Sequence, residues 1–466
     1  MFKLINLHEG EYINMLETGK NRKARSTSIF DVDGIPPLKK AVPLSLQHLL
    51  AMIVGNITPA IIVAGVTNMS AADKTLLVQC SFLMAGISTL LQLYPVWKFG
   101  CKLPVVTGIS FAYVPTLIAI GSAYGIEAIF GAQLIGGIVA IVVGIFIKPL
   151  RKLFPPLVAG TVVFTIGLSL YPTAVNYMAG GAGAKDFGAP INWTIAIVTL
   201  IVVLFCNHFT KGYAKLASIL IGIVVGYVFS AVIGKVQFGA ISEATWVQVP
   251  TPMHFGIEFI PPAIISMVII YIVNSVQAVG DLSATTEGGL KREPLDGELS
   301  GGIMASGLTS ILGAFIGGLP TATYSQNVGI VAMTKVVSRY IVALAAIFML
   351  VAGFIPKFGA FATTIPQSVL GGATIIVFAM ITMTGILLII KDELSGRNVS
   401  IVGLSIALGM GITSVPGALD QFPSWVNMVF GSSPVVISTI VVIFLNLILP
   451  KKTIQEEDDE RAKIEK

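Results

Sequence analysis

The chain reads as an all-α polytopic membrane protein: fourteen transmembrane segments arranged as 7+7 inverted repeats, with two broken spans, the third and the tenth, that carry short β-strands. Three observations predict this. Of 466 residues 55% are hydrophobic and only 11% charged, which excludes a water-soluble enzyme of this length. Apolar runs of the roughly 20 residues needed to cross a bilayer recur from residue 41 to residue 450. Proline-led motifs recur half a chain apart, the second copy seven spans after the first.

Residues 1–40 are polar and mixed in charge, so they read as a cytoplasmic tail and not as a cleavable leader. Spans follow at 41–66, 74–97, 103–121 and 125–147, then at 150–175, 192–208 and 213–236. The second half gives 259–283, 298–317, 319–335 and 339–360, then 364–390, 398–414 and 433–450. The third and tenth are the weakest, being short and interrupted by Gly, Pro, Ser and Thr. Residues 451–466 form a mixed-charge tail, and the loop carrying Glu287, Lys291, Arg292, Glu293, Asp296 and Glu298 reads as solvated. His208 and His254 fall at span ends and read as interfacial.

Orientation follows from the loops, because cytoplasmic loops carry the excess of Lys and Arg. With the N-terminus inside, 15 Lys and Arg fall in inner loops and 4 (Lys74, Lys185, Lys235 and Lys357) in outer ones. Dropping either weak span would invert every loop after it and spoil that segregation. The expectation is a multi-pass protein of the plasma membrane, the bacterial inner membrane, with both termini cytoplasmic.

Other classes are excluded by what the chain lacks. A net charge of +5 is too small a surplus for nucleic-acid binding. Cys80, Cys101 and Cys206 have neither CxxC nor matching His spacing, so no zinc site or disulfide framework is expected, and no cofactor or metal. GxSxG, HExxH and Walker motifs are absent, so the chain is not read as an enzyme.

The repeat is legible in two motif pairs. Pro155-Pro156-Leu157-Val158-Ala159-Gly160 opens the fifth span and Pro366-Gln367-Ser368-Val369-Leu370-Gly371 the twelfth, at an offset of 211 residues. Leu103-Pro104 and Leu319-Pro320 enter the two weak spans at an offset of 216. An offset of seven spans, an odd number, inserts the second copy upside down, as in inverted-repeat secondary transporters. After each of these Leu-Pro pairs, β-branched and aromatic residues favour an extended strand over helix. Such backbone survives in hydrocarbon only if paired or lining a cavity, so the two strands are expected to pair near the midplane. A half-helix would follow each, its N–H groups facing a central cavity. The plainer alternative is a pair of glycine-rich packing helices.

Within the tenth span stands Gln326-Asn327-Val328-Gly329-Ile330-Val331-Ala332-Met333-Thr334-Lys335. This run resembles the signature of the nucleobase-ascorbate transporter family, also known as nucleobase cation symporter type two, and in particular its xanthine and uric acid permeases. Further matches are Gln47-His48, Ser110-Phe111-Ala112-Tyr113, Gly280-Asp281, Thr364-Ile365-Pro366 and Leu370-Gly371-Gly372, so the resemblance covers about 41–450. It implies a core domain (41–147 and 259–360, spans 1–4 and 8–11) and a gate domain (148–258 and 361–450, spans 5–7 and 12–14). It also implies an elevator-type symporter, homodimeric through the gate, and Gln at the first signature position implies an oxidised purine as substrate.

The residues agree with that implication. A xanthine edge alternates N–H donors with C=O acceptors, and a carboxamide such as Gln326 offers one of each in a plane. A buried amide capping loose backbone is the alternative for Gln326. Tyr113 and Tyr324 read as corresponding residues of the two strands that clasp a planar ring, with stacking worth roughly 1–3 kcal/mol; Ala112 and Ser325 stand beside them. Phe111 would point to the opposite face of an extended segment, which leaves it to packing. Asn274, Gln277 and Asp281 share a face of the eighth span, and the ionisable residues well inside predicted spans are His48 and Asp281. Asn327 and Thr334, seven apart, read as fixing the core.

Two departures from the family pattern concern energy coupling. Gln277 stands where the resemblance implies Glu, and Ser306 where several purine-transporting members have Asp. His48 and Asp281 remain as titratable candidates for coupling, with a structural hydrogen-bonding role equally open. The expected coupling cation is H⁺ ahead of Na⁺. Rival readings are a carrier for guanine, hypoxanthine or uracil, and an anion carrier of the related inverted-repeat fold.

Overall fold

The computed structural model describes residues 26–150, 155–181, 183–236, 238–423, 426–431, 433–451 and 453–456. Most of the N-terminal tail, residues 457–466 of the C-terminal tail, Arg151, Lys152 and Lys452 lie outside them. Helices dominate: α1 (Leu38–Val66), α2 (Ala71–Leu93), β1 (Thr107–Ile109), a short 3₁₀ turn (Phe111–Tyr113) running into α3 (Val114–Tyr124), and α4 (Ile126–Ile145). Next come α5 (Pro156–Met178), α6 (Pro190–Phe209) and α7 (Ser218–Val232). The second half holds α8 (Pro261–Thr285), α9 (Asp296–Ile316), β2 (Thr321–Thr323), α10 (Ser325–Thr334) and α11 (Arg339–Gly353). It ends with α12 (Pro356–Thr363), α13 (Gln367–Ile389), α14 (Gly396–Ser414) and α15 (Pro434–Ile448). Among the described residues eight helices are long and apolar enough to cross a membrane, and each of the fourteen segments read from the sequence contains a helix.

The eleventh segment differs from its reading as one span over 339–360. α11 stops at Gly353, and α12 leaves it at 85°. Pro356 is the cause: it lacks the N–H that an α-helix through Ile355 would need, so it opens a new helix instead. The charged loop after α8 also holds more than solvated side chains, with Arg292 donating to both carboxylate oxygens of Glu298 at 2.5 and 2.9 Å and Lys148 3.2 Å from Asp296. On the opposite end His254 pairs with Asp73 at 2.8 Å, and the hydrogen bond from Lys235 holds the exposed Asp186 carboxyl below the usual carboxylate range.

β1 and β2 pair antiparallel, with Thr107 opposite Thr323, Gly108 opposite Ala322 and Ile109 opposite Thr321. The ladder extends at both ends, where Ser110 N–H donates to the Pro320 carbonyl (3.3 Å) and Tyr324 N–H to that of Val106 (3.0 Å). A two-stranded ribbon leaves its outer edges open, and side chains of the flanking helices close them. Thr89 Oγ1 accepts from Thr107 N–H at 3.0 Å, Asn56 Oδ1 from Ile109 N–H at 3.1 Å, and Ser310 Oγ from Thr321 N–H at 3.3 Å. Thr89 on α2 and Ser310 on α9 do the same job for the two strands, so the inverted repeat is visible in the hydrogen bonds themselves.

The helices pack as two groups, and the ribbon lies within one of them, against α1, α2, α8 and α9. α5 lies along α13, with α6 and α15 against that pair; α2 packs on α11, and α4 on α8 and α9. Gly108 is required by the crossing itself: a Cβ there would lie 2.5 Å from Asn56 Oδ1 and 2.8 Å from the Tyr324 hydroxyl. Gly108→Ala is therefore expected to cost about 1–3 kcal/mol, as overpacking does. A lowered melting temperature of the detergent-solubilised protein checks this, and an unchanged one contradicts it.

Candidate functional site

A cavity of about 120 Å³ opens where the two strand ends meet the two helix starts. It is smaller than an engineered cavity of about 150 Å³ that holds a benzene ring. One wall is formed by Ser110, Phe111 and Ala112, by Thr323, Tyr324, Ser325 and Gln326, and by Gln277 of α8, with Ala51 and Gly55 of α1 behind. The other wall is formed by Val163 and Ile166 of α5 and by Met380, Ile381 and Thr384 of α13. Almost all polar groups thus stand on the first wall.

Main-chain donors are left open on that wall. Three of the four outward strand N–H groups end on Thr89, Asn56 and Ser310; the fourth, that of Thr323, has no acceptor among the described residues, and Thr323 lines the cavity. In α10 the first-turn bonds begin with Asn327 N–H to the Tyr324 carbonyl (3.0 Å), so the N–H groups of Ser325 and Gln326 start the helix free of backbone partners. Electron-rich atoms are favoured at such a helix start. The carboxamides of Gln277 and Gln326 are half-buried and make no side-chain hydrogen bond to any described residue. Each offers one donor and one acceptor to whatever enters.

The titratable residues lie one layer back. Asp281 is buried and accepts from Thr323 Oγ1 at 2.6 Å and from Ser325 Oγ at 2.7 Å, which pins the β2–α10 junction to α8. Buried His48 faces Asn327, whose amide donates to the His48 carbonyl (3.0 Å) and lies 3.2 Å from its Nδ1, so α10 is tied to α1. Ser306 is remote from the cavity lining; its hydroxyl donates to the Gly302 carbonyl (3.2 Å) and meets the Gln92 amide at 3.3 Å, joining α9 to α2.

A family model described as "Permease family" matches residues 39–418. The chain belongs to that permease family. The xanthine permease of Bacillus subtilis (strain 168) is 37% identical over 432 residues, covering 90% of this chain and 97% of that one. The uric acid permease PucK of the same organism is 36% identical over 411 residues, covering 88% and 95%. Among solved structures, the transmembrane domain of a cyanobacterium bicarbonate transporter, BicA, superposes with a TM-score of 0.54 at 14% identity, covering 88% of this chain and 98% of that one, which shows a shared fold. The resemblance to nucleobase-ascorbate transporters read from residues 326–335 thus holds across the chain. With its long apolar helices, this permease is an integral membrane protein and a transporter, not an enzyme.

The permease brings Gln277, Gln326, Ser325, Ala112 and Tyr324 to one cavity, but the aromatic clasp needs correction. Tyr113 does not line the cavity: it is fully buried, its ring centroid 4.8 Å from that of Tyr271. Phe111, assigned to packing, lines it instead and meets Phe378 edge-on at 5.2 Å. The reason is local. Ser110 Oγ accepts from Ala112 N–H at 3.1 Å and caps a 3₁₀ turn, so strand alternation ends at Ile109. By strand register, Tyr324 corresponds to Ser110 and not to Tyr113, since each stands in the N-cap position directly after its strand. The Tyr324 hydroxyl donates to the Ile109 carbonyl at 2.6 Å, so this ring ties the strands together as it lines the cavity.

Two things escaped the sequence. The wall of Val163, Ile166, Met380 and Ile381 is apolar within apolar helices, and no pattern distinguishes it. Phe111 had a signal, Ser110 in the N-cap position directly before it. Asp281→Ala is expected to free both the Thr323 and Ser325 hydroxyls and weaken ligand binding by at least about tenfold, the loss of one strong hydrogen bond's worth of positioning. Isothermal calorimetry on the purified variant checks this; parental affinity contradicts it.

Proposed function

We propose that this permease is a secondary active transporter that imports an oxidised purine, xanthine or uric acid, across the plasma membrane. The observation that carries the reading is the pairing on one cavity wall of two carboxamides, Gln277 and Gln326, that have no hydrogen-bond partner among the described residues, with open main-chain donors. An oxidised purine presents alternating donors and acceptors around its rim, and each carboxamide offers one of each kind. Phe111 and Tyr324 supply aromatic surface for its faces, with stacking worth roughly 1–3 kcal/mol. The relatives named xanthine permease and uric acid permease support the same substrate class.

The mechanism we propose is alternating access of the elevator type. Fourteen crossings, with both termini cytoplasmic, divide into a core (41–147 and 259–360) that carries the polar wall and a gate (148–258 and 361–450) that carries the apolar one. A substrate hydrogen-bonded to the core alone moves with it, since sliding past the gate breaks only dispersion contacts. The gate would serve as the homodimer contact. H⁺ is the proposed coupling ion, ahead of Na⁺, with Asp281 and His48 as the groups behind the cavity that titrate.

A thermal-shift screen of the detergent-solubilised protein against xanthine, urate, guanine, hypoxanthine, uracil, sulfate and bicarbonate at two pH values tests this. Xanthine or urate is expected to raise the melting temperature, with about 2.7 kcal/mol of stabilisation at a hundred times Kd. Gln326→Ala is expected to abolish that rise. Stabilisation by sulfate or bicarbonate without any by purines, or an unaltered purine response in the Gln326→Ala variant, would contradict the reading.

A further inference from the structure

At the end of the bundle that carries His254, two connections cross between core and gate, one from α7 to α8 and one through α12 to α13. The first holds a short helix, Gly239–Glu243, and then irregular chain up to Ile260. Sequence position alone gives this connection to the gate and cuts α12 in two at residue 360. Bonding assigns both differently. Gln79 of α2 donates to the Gln248 carbonyl (2.8 Å), Met253 N–H to that of Phe315 in α9 (2.7 Å) and Glu258 N–H to that of Glu127 in α4 (3.0 Å). His254 adds its 2.8 Å contact with Asp73 of α2. Three core helices thus hold residues 248–258, mostly by main-chain groups. α12 lies on the core too, so close to α2 that a Cβ on Gly359 would come within 2.8 Å of the Thr75 carbonyl oxygen. Lys357 of α12 joins the two connections: its ammonium donates to the Ile241 carbonyl at 2.9 Å and stands 5.0 Å from the centroid of the Trp246 ring, a cation–π distance.

Toward the gate the hold of α12 is of another kind. The Thr364 hydroxyl gives its proton to the Phe361 carbonyl (2.8 Å), so in its 2.9 Å contact with the Tyr227 hydroxyl of α7 the tyrosine is the donor. The Tyr227 and Phe361 rings meet at 5.2 Å, tilted. Both contacts are made by side chains alone, and a single neutral hydrogen bond changes an equilibrium by roughly tenfold or less. Such contacts part without disturbing any main-chain bond.

We infer that residues 239–258 and α12 form one brace that travels with the core, and that the contact of Tyr227 with Phe361 and Thr364 is where brace and gate part during transport. The border of the moving body at this end then lies at Gly239 and Thr364 and not at residues 259 and 360. This rests on the core-and-gate reading above, and it adds to that reading which connecting segments move.

Reversible cross-linking tests it, with full-length protein in proteoliposomes and radiolabelled xanthine. Asp73→Cys with His254→Cys ties the brace to the core, and Tyr227→Cys with Phe361→Cys ties it to the gate. Each pair is bridged by a short bifunctional methanethiosulfonate, the bridge is verified by intact mass, and dithiothreitol releases it; the parent is treated alike. The first bridge is expected to leave Vmax within about twofold of the unbridged variant, and the second to lower it by about tenfold or more, with recovery on reduction. Uptake stopped by the first bridge and continuing through the second would overturn the inference, since the brace would then ride with the gate. Uptake continuing through both would overturn the inference together with the core-and-gate movement it rests on. If the Tyr227→Cys and Phe361→Cys pair is inactive before bridging, Tyr227→Cys with Thr364→Cys keeps the Phe361 ring and takes its place. If the parent takes up no xanthine, the purine reading fails on its own account, and the same bridges are scored on uptake of radiolabelled uracil or sulfate.

Discussion

Extended backbone inside an apolar bundle persists only where every N–H and C=O finds a partner, and an unpaired buried group costs roughly 1–3 kcal/mol. The two crossing strands meet that requirement partly through each other and partly through side chains that an apolar helix would otherwise have no reason to carry. Thr89 donates to the Thr107 carbonyl at 2.9 Å as well as accepting from its N–H, and Thr107, Ser88, Thr309 and Thr321 form a buried chain of hydroxyls behind the ribbon, linked at 2.8 to 3.1 Å. These hydroxyls fix α2 and α9 to the strands. The helices in turn fix where α3 and α10 begin.

What the ribbon leaves unsatisfied becomes the site. Thr323, Ser325 and Gln326, whose N–H groups have no partner among the described residues, line the same cavity as the Gln277 and Gln326 carboxamides, while Asp281 and the His48–Asn327 contact hold that arrangement from behind. The division of labour is a physical one. Charged and titratable groups sit a layer away from the cavity, where they orient neutral groups, and the neutral groups face the ligand. The flat, uncharged or weakly acidic heterocycle proposed as ligand needs directional hydrogen bonds more than it needs a counter-ion.

Much of the arrangement was legible from residues alone because it depends on residue types that a membrane helix tolerates poorly. Pro104 and Pro320 announced the breaks, the β-branched residues after them announced strands, and Gln277, Asp281 and Gln326 stood out against hydrocarbon. The failures have the same origin. Tyr113 and Phe111 exchanged places because a single serine cap ends the strand one residue before Phe111, and a period-two argument does not survive a change to 3₁₀ geometry. The α11–α12 bend falls inside the span expected over 339–360, whose uniformly apolar composition carries no mark of it except Pro356, which opens α12. The apolar wall from α5 and α13 carried no signal, since its function is to form no hydrogen bonds.

The measurement that bears most directly on this account is an experimental density map of the full-length protein with xanthine bound. The account requires unbroken density for the antiparallel pair at residues 107–109 and 321–323, with the purine lying between Phe111 and Tyr324. It also requires the ring edge within hydrogen-bonding distance of both Gln277 and Gln326. A purine bound elsewhere, or either glutamine turned to lipid with the two segments running as continuous helices, would contradict it.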